Sequence, residues 1–162
     1  MTPNWTIEAL LPADCGWVED FIRQHWGAAE VIVHGDVYFP AELPGFVCRE
    51  ERQVLGLVTY RFAAGDCEVV SLDSLRESEG IGSALMTAVV AAARGQKCGR
   101  VWLITTNDNL TALRFYQKRG FQLLRITPGA VDEARKHKPE IPMLGHAGIP
   151  IHDEIEFGLP LD

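Results

Sequence analysis

Residues 68–121 read EVVSLDSLRESEGIGSALMTAVVAAARGQKCGRVWLITTNDNLTALRFYQKRGF. An apolar strand runs into a turn at Gly80-Ile81-Gly82, and a helix starts there. Ile81, Ala84, Leu85, Ala88, Val89 and Ala92 recur at i, i+3, i+4, i+7, i+8 and i+11, one face of a helix built from small and medium residues. Gly95 or Gly99 ends it. Val101–Thr105 is a nearly continuous apolar run, the signature of a strand covered on both faces. The crossover is long enough for a right-handed parallel βαβ unit. A second helix begins near Asn109 and stops at Gly120, and Phe121–Ile126 reads as another strand.

Upstream, residues 5–11 read as a short strand. Asp14 then caps an amphipathic helix over 14–26, with Trp17, Val18, Phe21, Ile22 and His25 at helical spacing and Gly27 as its stop. Val31–Val33 is extended, and His34-Gly35-Asp36 is a turn. Strands at 46–50, 54–63 and 67–75 are joined by turns at 51–53 and 64–66, giving an antiparallel meander with Gly56 as its soft spot. Downstream, residues 128–138 read as a short helix. A long loop carrying three prolines and two glycines spans 139–152, and 153–159 is a last strand. The expectation is one domain over residues 1–162, α+β. Its mixed twisted sheet has about six or seven strands flanked by about four helices.

The 162 residues suffice for one substantial core. The net charge of −7 argues against nucleic acid and anionic membranes as partners, yet leaves room for a polyanionic ligand held locally at a helix N-terminus. Four cysteines stand singly, with no zinc spacing, so no metal is expected and the thiols read as reduced. No signal peptide pattern and no membrane-length apolar run occurs, which points to the cytoplasm.

The glycine turn by itself fits a tight strand-to-helix connection or a pyrophosphate cradle. A Walker P-loop needs Gly-Lys-Ser/Thr, and no lysine follows Gly82; a dinucleotide fingerprint needs a third glycine. The second helix narrows the choice. Asn109-x-x-Ala112-x-x-x-Tyr116-x-x-x-Gly120-Phe121 sets a polar helix start, a small residue, a tyrosine and a glycine stop in register. With Gly80 and Gly82, this resembles the GNAT superfamily of N-acetyltransferases. The family pattern is Gln/Arg-x-x-Gly-x-Gly/Ala followed by Asn-x-x-Ala-x-x-x-Tyr-x-x-x-Gly-Phe. The match is specific over residues 68–126. Glu77 stands at the family's Gln/Arg position, and Glu79 adds a second acid of the wrong sign beside phosphate. Arg114, Lys118 and Arg119 either compensate or form a solvated face.

The resemblance implies transfer of an acetyl group from acetyl-CoA to an amine, with the sheet splayed between its fourth and fifth strands to admit the donor. Leu72, Ser74, Leu75, Glu77, Ser78, Gly80, Ile81, Gly82, Ser83, Asn109, Ala112 and Tyr116 would bind the donor. The Leu72 amide would hold the thioester carbonyl, and the pantetheine arm would pair with Leu72–Leu75 like an added strand. Tyr116 would serve the departing thiolate. For the base, Glu68 lies where many relatives carry a glutamate that works through water, and Asp73 lies nearer the turn. Without a bulge their odd spacing puts them on opposite faces. His137, His146 and His152 remain as further candidates. The acceptor would be a small-molecule amine, flanked by residues 28–45 and 127–152. Carboxylates there suit a cationic amine, and Arg135 and Lys136 suit a carboxylate-bearing one. A protein N-terminus or lysine as acceptor, or a coenzyme A-binding module without turnover, are the alternatives. Homodimers are common among relatives, and no residue here demonstrates one.

Overall fold

The computed structural model describes residues 2–162. In chain order its elements are β1 (Thr6–Ala9), α1 (Cys15–Trp26), β2 (Val31–Val33), β3 (Asp36–Tyr38), β4 (Gly45–Glu50), β5 (Gln53–Ala63) and β6 (Asp66–Ser74). Then come α2 (Ile81–Gly95), β7 (Arg100–Thr106), α3 (Leu110–Lys118), β8 (Gln122–Thr127), α4 (Ala130–Arg135) and β9 (Glu154–Pro160). Seven strands form one mixed sheet in the order β1-β4-β5-β6-β7-β9-β8, and β2 with β3 forms a separate hairpin. The meander β4–β5–β6 is antiparallel; its turns use left-handed backbone at Glu51, Ala64 and Gly65. β6 and β7 are parallel, as a βαβ crossover requires. The last strand, β9, slots between β7 and β8 and runs antiparallel to both.

The sheet buries two different faces. Against α2 lie Val58, Tyr60, Cys67, Val69, Val101, Leu103 and Phe157, packed on Ile81, Leu85, Met86 and Val89. Against α1 lie Leu57 and Val31, packed on Val18, Phe21 and Ile22. Each such side chain contributes roughly 1.5–3 kcal/mol. Gly56 is a contact point rather than a soft spot. A Cβ there would stand 2.8 Å from Ile81 Cγ2 and 2.9 Å from the Asp73 carbonyl oxygen. Its absence lets α2 lie close on the sheet.

Two features of β6 differ from regular strand geometry, and both shape the site. First, Thr59 pairs with Ser71 but Tyr60 pairs with Val69, so Val70 is an extra residue, a β-bulge. It reverses the parity of the strand. Glu68 opposes Arg61 and Asp73 opposes Leu57, so the two carboxylates share the α1 face after all. Second, the parallel ladder pairs only Cys67–Val69 with Val101–Leu103. Beyond it, the remainders of β6 and β7 diverge. That is the expected splay.

Asp14 stands at the N-cap position of α1 but makes no side-chain cap bond there. Pro12–Asp14 first makes a 3-10 turn, and the Asp14 carboxylate closes it by accepting from the Leu11 amide and Trp17 Nε1, each at 2.7 Å. The Trp17 bond, then the Leu11 bond, hold the Asp14 carboxyl below its usual range.

The long tail is knitted down by polar side chains. Asn107 accepts from the His152 and Asp153 amides and donates to the Pro150 carbonyl. The buried Asp108 accepts from Thr106 Oγ1 and the His146 amide. Arg135 donates to the carbonyls of Ile141, Pro142 and Ile151 and pairs with Asp132 at 2.7 Å. Arg135 is therefore committed to the loop, and Lys136 pairs with Glu133 at 2.9 Å on the surface. Replacing Arg135 by Met leaves three carbonyls without their donor. The expected loss is about 2–4 kcal/mol in urea unfolding, with faster amide exchange over 139–152.

Candidate active site

Divergence of β6 from β7 opens a cleft of about 530 Å³. Leu72, Ser74, Glu77, Ser78, Gly80, Ile81, Gly82, Ser83, Asn109, Ala112 and Tyr116 line it, with Trp26, Ile104 and Thr105. Leu75 does not. Its side chain faces solvent, and its amide is spent on the Leu55 carbonyl at 2.8 Å. Amide direction alternates along a strand, so the Leu72 and Ser74 amides turn to the open edge facing β7. Those two, without Leu75, are the donors an added strand can reach.

The N-terminus of α2 enters the same cleft. Gly80 takes left-handed backbone (φ 78°), no side chain caps the helix, and its first turn holds no acid. The leading amides therefore stay open, with the helix dipole behind them. Gly82 has a second reason to be glycine: a Cβ there would meet Phe115 Cε2 at 3.0 Å. It lets α2 and α3 pack closely. Arg119 lies 3.5 Å over the Phe115 ring, and its guanidinium donates to Ser83 Oγ and the Phe115 carbonyl. It thus brings positive charge to the helix start, and Arg114 lines the cleft beside it. Lys118 faces a neighbouring groove between α2 and the end of α3 instead. Arg76 lies 3.0 Å from Glu50 and 3.8 Å from Glu79, so Glu79 is partly neutralised. Asn109 caps α3, accepting from the Ala112 amide at 3.1 Å and donating to Thr105 Oγ1.

Tyr116 sits against Phe115, Phe121 and Phe157, with ring centroids 5.1–5.6 Å away. Burial pushes its phenol well above the ordinary value, and the Asp73 carboxylate pushes the same way, against Arg119. Asp73 accepts from Trp26 Nε1 at 2.9 Å. Burial raises the Asp73 carboxyl, and the Trp26 bond and His25 oppose the rise. Trp26 falls at i+8 from Val18 and i+4 from Ile22, so periodicity assigns it to the apolar stripe of α1; the structure leaves it partly exposed, with its indole on Asp73.

Glu68 lies outside the cleft lining, 2% exposed, and neither of its oxygens meets a hydrogen-bond partner among the described residues. Arg61 Nη1 stands 3.9 Å away. Burial raises its carboxyl, while His34, Arg61 and Tyr38 counter the rise. A buried carboxylate in this condition is a candidate proton acceptor or water ligand. His137, His146 and His152 are exposed, none lines the cleft, and His152 pairs with Asp153 at 2.7 Å.

A splayed β6–β7 pair, a bare helix N-terminus and a buried tyrosine together define a cleft for an extended thioester carrying phosphates. The sequence profile of the Acetyltransferase (GNAT) family matches residues 15–121, and the chain belongs to that family. It is an acetyl-CoA-dependent acyltransferase. It is similar to "Uncharacterized protein YdhI" of Bacillus subtilis (strain 168), 44% identical over 144 residues, covering 88% of this chain and 90% of that one. Among solved structures it resembles the IAA acetyltransferase from Bacillus cereus ATCC 14579. That match has a TM-score of 0.71 and 18% identity, covering 97% of this chain and 99% of that one. A GNAT family acetyltransferase from Elizabethkingia anophelis with acetyl-CoA bound matches at a TM-score of 0.67 and 18% identity, over 99% of this chain and 100% of that one.

The two glycines should behave differently when given a Cβ. Gly82→Ala pushes on Phe115, so thermal melts should show a loss of about 1–3 kcal/mol besides weaker acetyl-CoA binding. Gly80→Ala meets open space and carries only the left-handed backbone strain, about 1–2 kcal/mol.

Proposed function

We propose that residues 1–162 act as one N-acetyltransferase domain in the cytoplasm, moving the acetyl group of acetyl-CoA onto the amine of a small, cationic acceptor. The observation that carries the small-acceptor reading is a strap over the acceptor side. Lys138, 7% exposed, donates Nζ to the Glu30 carbonyl at 3.0 Å and ties the tail to the segment after α1. An open peptide groove would need that strap undone. The cations of this region are committed: Arg135 to carbonyls, Lys138 to Glu30. Asp73 and Glu154 accept only from an indole and an amide, which favours a cationic acceptor over a carboxylate-bearing one. The cytoplasmic reading is supported by four free cysteines.

In this reading the amine attacks the thioester carbonyl carbon. Its proton passes through a water to Glu68, and the Leu72 amide receives the developing oxyanion. The carbon–sulfur bond then breaks, and sulfur leaves with the electron pair. Tyr116 donates a hydrogen bond to that sulfur. It does not give up its proton outright, because burial lifts the phenol further above a thiol of about 8.5. Glu68 and the departing sulfur exchange protons with solvent afterwards.

Tyr116→Phe should lower kcat about 10- to 100-fold, the worth of a hydrogen bond to a charged group, with KM for acetyl-CoA nearly unchanged. Glu68→Gln should cost about 100-fold or more in kcat. Glu68 must be ionised to accept a proton, so turnover should fall as pH drops through its raised pKa. That acid limb should vanish in Glu68→Gln. If Asp73 is the base, Asp73→Asn removes the limb instead. Calorimetry with acetyl-CoA, beside thiol release over an amine panel, tests the whole reading. Tight binding without amine-stimulated release would leave only a binding module.

A further inference from the structure

The β2–β3 hairpin is not part of the main sheet, yet it covers Glu68. Its Tyr38 hydroxyl accepts from Arg61 Nη1 at 3.1 Å, and the Arg61 guanidinium lies 5.1 Å from the centre of the Tyr38 ring. With a lone pair of that hydroxyl taken by Arg61, its own hydrogen is free to donate elsewhere. The acceptor beside it is Glu68, whose two oxygens are both without a partner. Tyr38 Oη and Glu68 Oε2 flank the same Arg61 Nη1, 3.1 and 3.9 Å from it, and catalytic hydrogen bonds often tighten only once substrate is bound.

We propose that Tyr38 is a positioning residue for the acetyl transfer: directed by Arg61, its hydroxyl donates to one oxygen of Glu68 and leaves the other to receive the acceptor's proton. The inference rests on Glu68 as the base. The hairpin that carries Tyr38 is anchored at its turn as well. His34, at φ 55°, donates its amide to Glu154 Oε2 at 3.3 Å and sets its ring on Trp102, 5.0 Å between centroids. By strand pairing Trp102 is the neighbour of Glu68. One hairpin thus carries both the residue that orients the base and residues that face the acceptor side. A base assembled this way is complete only when the hairpin is seated.

The charged and titratable groups facing Glu68 are His34, Asp36 and Tyr38 on the hairpin and Arg61 on β5; Cys67, next to it on β6, turns to the opposite face. A donated hydrogen bond favours the ionised carboxylate, so removing it disfavours that form. The test is Tyr38→Phe, which keeps the ring beneath Arg61. Carbon-detected NMR of the Glu68 carboxyl should show its titration moving to higher pH. The acid limb of kcat should move with it, lowering kcat about tenfold on the acid side, as expected for one charge-assisted hydrogen bond. KM for acetyl-CoA should stay within about twofold, since Tyr38 is remote from the donor cleft. An unmoved Glu68 titration overturns the proposal, whether or not the variant turns over. Undiminished turnover in Glu68→Gln would strike instead at the base assignment, and the NMR shift would still decide whether Tyr38 donates to Glu68.

Discussion

The parallel ladder between β6 and β7 stops after Val69 and Leu103, and the site depends on that stop. Two adjacent strands that part company expose backbone amides in the interior of a sheet. Left buried and unpaired, each would cost about 1–3 kcal/mol. Here the amides of Leu72 and Ser74 face a cleft that water or ligand can fill. The fold tolerates the gap because β6 stays paired to β5 on its other edge, apart from the bulge at Val70, out to Ser74. The bare start of α2 opens into the same space, so one defect in the sheet meets one unsatisfied helix end. Each alone is a cost; together they are complementary to an extended chain that ends in phosphates.

The bulge at Val70 is the second consequence of the same strand. It turns Glu68 to the face that holds Asp73, Trp26 and the β2–β3 hairpin. In the proposed reading, donor and acceptor chemistry are thereby divided between the two faces of the sheet, with Tyr116 and the helix starts of α2 and α3 on the donor side and the carboxylates, the hairpin and the tail on the acceptor side. Polar side chains, not apolar packing, fix the tail. Arg135, Asn107 and Asp108 hold backbone groups of this segment, which has little core of its own, and Lys138 ties it to the Glu30 carbonyl.

Much of this was legible in the chain. Helical periodicity from Ile81 to Ala92 and the apolar run Val101–Thr105 mark the crossover, because burial on one or two faces imposes a repeat on the sequence. The glycine and tyrosine positions mark the cleft for a related reason: they are local demands on φ or on close approach. Other features left no local trace. Val70 looks like any strand residue, since a bulge is decided by which partner it faces. Trp26 reads as one more member of the α1 stripe, and its partner Asp73 lies 47 residues away. Arg135 reads as an acceptor-binding cation until its three carbonyl partners are seen.

The sequence by itself determined most of the elements, though not β3, together with the crossover and the motifs that line the cleft, where residues close in the chain act together over a turn or a helix start. Only the tertiary structure decided the position of β9 between β7 and β8, the shared face of Glu68 and Asp73, and which cations are free. Those depend on pairings between distant segments. A side chain's charge is written in the sequence, but whether a partner already holds it is not.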